Sequence, residues 1–192
     1  MRLNNFDRLG KVYDLFMHSW FLYREKQLHT LLLPLDGNER VADLGGGTGH
    51  YARYFAKFCR EVCLLDESPG MLKRVGQHPK IKTYCGNVLT TPFAEDYFDV
   101  ILLCDVLHHL GDQNHLLNEC HRILKPGGRL CVYDFNREHP VSRILGWLER
   151  NLFGPLHYRT PGEINKKITK TGFSLKVLKK KYYYYILIAE KA

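Results

Sequence analysis

Two groups of residues in this chain have the types and spacing to do chemistry. The first is Val41-Ala42-Asp43-Leu44-Gly45-Gly46-Gly47-Thr48-Gly49-His50, an apolar stretch ending in an acid and then a glycine-rich turn. Glycines at 45, 47 and 49 let a backbone leave a strand sharply, take up positive φ and bring peptide N–H groups close to a ligand with no Cβ in the way. The second group is Asp105, His108 and His109, directly after the apolar run 98–104. An imidazole there can accept a proton near neutral pH. Each histidine also has a plainer reading, as a side chain packed in the core or capping a turn.

The glycine turn admits two ligand classes, since G-x-G-x-x-G dinucleotide sites begin in the same way. Here the spacing is G-x-G-x-G, and Asp43 precedes it, where a pyrophosphate would gain nothing from a carboxylate. An acid suits a ligand with a cationic group, such as the ammonium of an amino acid. A second apolar run, Glu61-Val62-Cys63-Leu64-Leu65-Asp66, also ends in an acid, which can grip both ribose hydroxyls of an adenosine. Ser68 and Pro69 then fit the N-cap and first position of a helix. Cys85-Gly86-Asn87-Val88 closes a third run beginning at Ile81.

In this order the segments resemble the class I S-adenosylmethionine-dependent methyltransferases. Asp43 to Gly49 looks like the first motif of that family, Lys125-Pro126-Gly127-Gly128 before the run 129–134 is another of its marks, and the resemblance is strong over residues 38–135. It implies S-adenosyl-L-methionine as cofactor, with Asp43, Gly45, Gly47, Gly49, Asp66, Glu67, Asn87, Val88 and Asp105 as its contacts. Asn87 departs from the pattern, because the family most often carries an acid here for the adenine amino group. An amide still offers a carbonyl to that amine and an N–H to a ring nitrogen; the other reading of Asn87 is a plain Asx-turn. The resemblance also implies an α/β fold, a Rossmann-like doubly wound sheet of seven strands in the order 3-2-1-4-5-7-6 with strand 7 antiparallel.

These groups need elements to hold them. Strands are expected near 40–44, 61–66, 81–85, 98–104 and 129–134, with helices between them, which makes right-handed crossovers and a parallel sheet. Asp112 should cap a helix running through Leu124. Thr160-Pro161-Gly162-Glu163 is a capping box, Gly172 a helix stop, and 173–178 and 182–189 a hairpin joined by Lys179-Lys180-Lys181. A single methyltransferase domain thus divides into an N-terminal helical segment 1–35, a cofactor core 36–135, a substrate cap 136–160 and a C-terminal helix and hairpin 161–192. Segment 1–35, rich in aromatics, either forms a lid over the acceptor or packs on the flank of the sheet. Tyr13, Trp20, Tyr133, His157 and Tyr158 are the candidate substrate contacts, and His108 or His109 the candidate base for a hydroxyl or acidic carbon. Tyr13-Asp14-Leu15-Phe16 and the cap resemble the small-molecule and quinone or lipid-precursor branches of the family.

With 192 residues, 45% of them hydrophobic, the chain can bury one substantial core. No apolar stretch approaches the ~20 residues of a membrane span and no secretory leader is evident, so a cytoplasmic protein is expected. Six cysteines without a C-x-x-C pair read as reduced core residues, and the ten histidines lack metal-ligand spacing, so no metal is expected. The net charge of +8 has three readings: a solvated basic face, an anionic membrane surface contacted peripherally, or nucleic acid. A small, partly apolar acceptor is preferred over nucleic acid because the lysines gather in the C-terminal helix and hairpin, away from the crevice. A noncatalytic cofactor-binding partner subunit, an RNA-modifying enzyme and a nicotinamide-dependent oxidoreductase are the competing classes. Oligomeric state is not legible.

Overall fold

The strand at Phe98–Cys104 shows how the sequence builds the sheet. Val100, Leu102 and Cys104 enter one buried cluster, while Phe98, Ile101 and Leu103 enter another on the opposite face. A strand covered on both sides has no reason to alternate polar with apolar residues, hence its unbroken apolar run from Val100 to Cys104.

The computed structural model describes residues 23–192; Tyr13, Trp20 and the rest of the expected lid over 1–22 lie outside the described residues. Its elements are α1 (Glu25–Leu32), β1 (Arg40–Leu44), α2 (His50–Phe55), β2 (Glu61–Asp66), α3 (Pro69–Leu72), β3 (Ile81–Cys85), β4 (Phe98–Cys104), a 3-10 turn at Leu107–His109, α4 (Gln113–Ile123), β5 (Leu124–Phe135), α5 (Pro140–Phe153), α6 (Pro161–Lys170), β6 (Phe173–Lys180) and β7 (Tyr184–Lys191). The sheet has seven strands in the order β3-β2-β1-β4-β5-β7-β6. Strands β1 to β5 are mutually parallel and β7 runs antiparallel to both β5 and β6. The strand order reverses between β1 and β4, and at such a switch point the carboxyl ends of the strands leave a crevice for a ligand.

Two boundaries differ from the sequence expectation. Strand β5 begins at Leu124, paired with Phe98, and Val100 next pairs with Arg129. Lys125 to Gly128 is therefore an irregularity inside the strand, turned by Gly127 at φ +74°, and not a loop before it. Strand β6 continues through Lys179 and Lys180, so the hairpin turns at residues 181–183. On an edge strand lysines extend without cost and discourage pairing with other chains. Helix α1, placed by sequence in the lid segment, buries Leu28 and Leu32 in the cluster that holds Phe55, and so packs on the flank of the sheet.

Helix α4 is tied to the loop before β4 by Glu119, whose carboxylate accepts from Thr91 N (2.9 Å), Thr91 Oγ1 (2.6 Å) and Arg122. The Arg122 guanidinium and the Thr91 donors hold this carboxyl down at about 2. A depressed carboxyl contributes stability above its ordinary range and loses it as pH falls through the folded value. Glu119→Ala should therefore destabilise the protein by about 2–3 kcal/mol at pH 7. In urea unfolding the difference should shrink between pH 5 and pH 2; a gap that does not change with pH would show that charge contributes nothing here.

Candidate functional site

The chain leaves β1 through Gly45, where the amide donates to Leu65 O at 2.7 Å, and re-enters helix at Gly49, the N-cap of α2. Two glycines in this loop are required for different reasons. A Cβ on Gly46 would stand 2.6 Å from Asp43 Oδ2 and 2.8 Å from Leu64 Cγ, so the loop lies against the strand ends too closely for any side chain. Gly47 has φ +53°, and no protein atom lies within 4 Å of where its Cβ would be. Its open side faces a cleft of about 1010 Å³, open solvent at its mouth included, lined also by Gly45 and Gly46.

Asp66, at the end of β2, accepts from Gly47 N at 2.9 Å through Oδ2 and from Ser68 N at 2.8 Å through Oδ1. The carboxylate thus fixes the glycine loop and the start of α3 together while lining the cleft. Glu67, Val88 and Asp105 also line the cleft, whereas Gly49 and Asn87 do not. Asn87 is exposed and its Oδ1 accepts from Leu89 N at 2.8 Å, which is the Asx-turn reading of this residue. Asp43 is buried behind Gly46 and is no part of the cleft wall. Burial pushes its carboxyl up to about 7, against a hydrogen bond from the backbone of Ala52 that favours the ionised form. Any influence of Asp43 on a ligand must therefore act across the loop.

Beyond β4 the two histidines part company. Adjacent residues of a tight turn point in different directions, and here His109 lines the cleft while His108 is buried. The His108 ring meets Asp134 Oδ1 through Nδ1 at 2.6 Å, its amide donates to Asp134 Oδ2 at 3.2 Å, and its far face stacks on Tyr158 with 4.6 Å between centroids. Contact of His108 with an acceptor, expected from sequence, is thus replaced by a position behind the wall. His109 lies 4.1 Å from His108 between centroids; burial, helped by that neighbour, holds its pKa well below the ordinary imidazole value. The residue is neutral at physiological pH. Asp105 adopts φ +63°, a conformation that non-glycine residues take mainly where surrounding structure enforces it. Its amide donates to Tyr133 O at 2.9 Å.

Asp105, His108 and Asp134 bring three possible ligand atoms within 4.8 Å of one another, a cluster not expected from sequence. Nitrogen and oxygen ligands about 2.0–2.1 Å from a tetrahedral zinc stand ~3.3 Å apart. The 2.6 Å separation of His108 Nδ1 and Asp134 Oδ1 is shorter, and is that of a charge-assisted hydrogen bond.

The expected substrate contacts from the second half of the chain are corrected as well. Tyr133 is fully buried beneath the site, its ring edge-on to Tyr184. On a strand with both faces covered, a tyrosine has no route to the crevice except at the strand's end. His157 and Tyr158 do not line the cleft; His157 N donates to His108 O at 2.6 Å, and Tyr158 packs between His108 and Gly146. Sequence reasoning missed Tyr23, His50, Tyr51 and Cys104 among the lining residues, and with them Gly46, Thr48, Ser68, Met71, Val106 and Leu110. The third consecutive glycine signalled Gly46, and the helix opening at Ser68 directly after Asp66 signalled Ser68 and Met71.

Among the described residues the cleft wall carries the carboxylates of Asp66, Glu67 and Asp105 and the imidazoles of His50 and His109, with no lysine or arginine, although the chain as a whole is at +8. Such a wall attracts a cation and repels a pyrophosphate.

Comparison with known proteins agrees with this geometry. A family profile described as a methyltransferase domain matches residues 42–132. The demethylmenaquinone methyltransferase of Thermobifida fusca is 32% identical over 154 residues, covering 74% of this chain and 65% of that protein. The ubiquinone/menaquinone biosynthesis C-methyltransferase UbiE of Proteus mirabilis is 32% identical over 154 residues, covering 72% and 61%. The chain thus spans less than two thirds of the length of these curated relatives. Among solved structures, the fold superposes on a chain of the complex between the Haloferax volcanii Trm112 methyltransferase activator and a methyltransferase (TM-score 0.86, 16% identity, 99% of this chain and 97% of that one). It also superposes on an S-adenosylmethionine-dependent methyltransferase from Mesorhizobium loti (TM-score 0.74, 21% identity, 86% and 96%). By strand order, glycine loop and sequence likeness together, the chain belongs to the class I S-adenosylmethionine-dependent methyltransferases.

Proposed function

We propose that this protein methylates a small, partly apolar acceptor of the quinone-precursor type. The observation that carries the reading is the cleft itself, whose described wall combines three carboxylates, no lysine or arginine, and the imidazoles of His50 and His109, the second held neutral by burial. The lining supports S-adenosylmethionine as its ligand: we assign the Asp66 carboxylate to the ribose hydroxyls, the loop Gly45 to Gly47 to close approach of the ligand, and Met71, Val88 and Leu110 to its apolar surface. When bound, that cofactor supplies an activated methyl group. What remains for the protein is to align an acceptor, exclude water and hold a proton.

The residue placed for the last task is His109. Its imidazole keeps a free base form at neutral pH but is a weak base, which matches an acceptor whose own proton is acidic, such as a phenolic hydroxyl or an activated ring carbon. The names of the curated relatives point to the same chemistry. Nucleic acid is disfavoured, since its phosphates would meet three carboxylates and no lysine or arginine among the described lining residues. One observation favours a second reading: the Haloferax fold neighbour was solved with an activator protein, so activity that needs a second polypeptide would make this chain one part of a complex.

The test is isothermal calorimetry joined to transfer of a labelled methyl group to a demethylated naphthoquinol. Asp66→Ala should weaken S-adenosylmethionine binding by ~1–3 kcal/mol, roughly 5- to 150-fold, in a protein that still melts cooperatively. Unchanged affinity would mean that the site lies elsewhere. Tighter binding of NAD than of S-adenosylmethionine would overturn the cofactor assignment.

A further inference from the structure

Of the large apolar side chains exposed among the described residues, three gather in one region: Ile144 (60% exposed) and Trp147 (66%) on α5, and Tyr182 (80%) in the β6–β7 turn. The turn abuts the start of α5, where Ser142 Oγ donates to Tyr183 O at 2.7 Å and the rings of His139 and Tyr182 lie 6.4 Å apart. Helix α5 is anchored on its inner side by buried Ser142 and by Gly146, where a Cβ would come within 2.6 Å of the Tyr158 ring. Its outer side carries Arg143, Ile144, Trp147 and Arg150 at helical spacing, all exposed. Lys179, Lys180 and Lys181 are exposed beside Tyr182. The acids nearest in sequence to this face are Glu138 and Glu149.

We infer that the outer face of α5 and the adjoining β6–β7 turn dock on an anionic lipid bilayer. Aromatic and aliphatic side chains at the apolar boundary with arginine and lysine around them are the composition of a helix lying in the plane of a membrane interface. A second copy of this chain is a poorer occupant. Three side chains of this size offer no more than about 500 Å², against roughly 800 Å² on each partner in a stable protein interface. Among the described residues no helix is long and apolar enough to cross a membrane, so the contact is peripheral. The inner side of the same helix leads to the site: Gly146 meets Tyr158, Tyr158 stacks on His108, and His108 adjoins His109 on the cleft wall.

Sedimentation of the full chain with sucrose-loaded vesicles tests this, using phosphatidylcholine alone and phosphatidylcholine with three parts in ten phosphatidylglycerol. Binding is expected on the anionic vesicles and should weaken as salt is raised. The surface double variant Ile144→Ser/Trp147→Ser should lower it at least fivefold with an unchanged melting temperature. In a Trp20→Phe background, where Trp147 is the remaining tryptophan, its fluorescence should shift to the blue when anionic vesicles are added. Absence of binding, equal binding to neutral vesicles, an undiminished double variant or an unmoved Trp147 spectrum would each overturn the proposal. So would a fall in solution mass in the double variant, which would assign the face to a second copy.

Discussion

Replacing His109 with alanine is expected to lower kcat for methyl transfer by ~10²–10⁴ and to leave the Kd for S-adenosylmethionine nearly unchanged. The size follows from the role proposed: a positioned base removes a proton as the methyl bond forms, and its loss leaves only alignment and exclusion of water. The split between kcat and Kd follows from position, since the contacts assigned to the cofactor are made by the loop after β1, by Asp66 and by the start of α3. His108 cannot take over, because Asp134 holds its Nδ1 and Tyr158 covers its ring. The pH profile gives an independent reading. Burial lowers the pKa of His109, so the wild-type rate should stay level through neutrality and fall only well below pH 6.5. A His109→Ala protein that turns over normally would leave proximity as the mechanism and dismiss the base.

The contrast between these two histidines shows what a sequence can and cannot reveal here. That the glycine run and Asp66 lie at the cleft was legible because each sits where an apolar run ends, and the end of a buried parallel strand is the place where the chain meets solvent and ligand. The sheet order was legible through the resemblance, and the C-terminal hairpin through two strand-like runs joined by lysines. What defeated the reading was direction. His108 and His109 are neighbours in one 3-10 turn, and no periodicity says which faces the cleft. Tyr133 lies on a strand whose last residues are buried on both sides, so alternation, the usual sign of which side chains face inward, is missing. For Asn87 a short polar side chain after a strand had two satisfactory uses, and a backbone amide two residues on took its oxygen. Gly46 was passed over because its requirement is close approach to Asp43 and Leu64, which is a fact of three dimensions.

Asp43→Asn should raise thermal stability relative to wild type as pH increases from 5 to 8. In the unfolded chain this carboxyl ionises near 3.8, and in the folded protein it keeps its proton up to about 7. A raised folded value means that the folded state binds the extra proton across that window, so the stability this group supports is complete below the unfolded value and is lost as pH rises through the folded one. The difference of about three units corresponds to on the order of 4 kcal/mol. Asparagine keeps an acceptor for the backbone of Ala52 and removes the charge. Its amide N–H group would meet the spot where Oδ2 finds no hydrogen-bond partner among the described residues, a penalty of ~1–3 kcal/mol that does not vary with pH. Melting curves should therefore place the variant below or level with wild type at pH 5 and above it at pH 8. Cofactor binding should show the opposite linkage. A cationic group held against the other side of the glycine loop favours ionised Asp43, so the affinity of the wild-type protein should rise with pH through neutrality and that of the variant should not. Parallel pH profiles for the two proteins would mean that Asp43 serves the fold alone, and the acid before the glycines would then have no part in recognising the ligand.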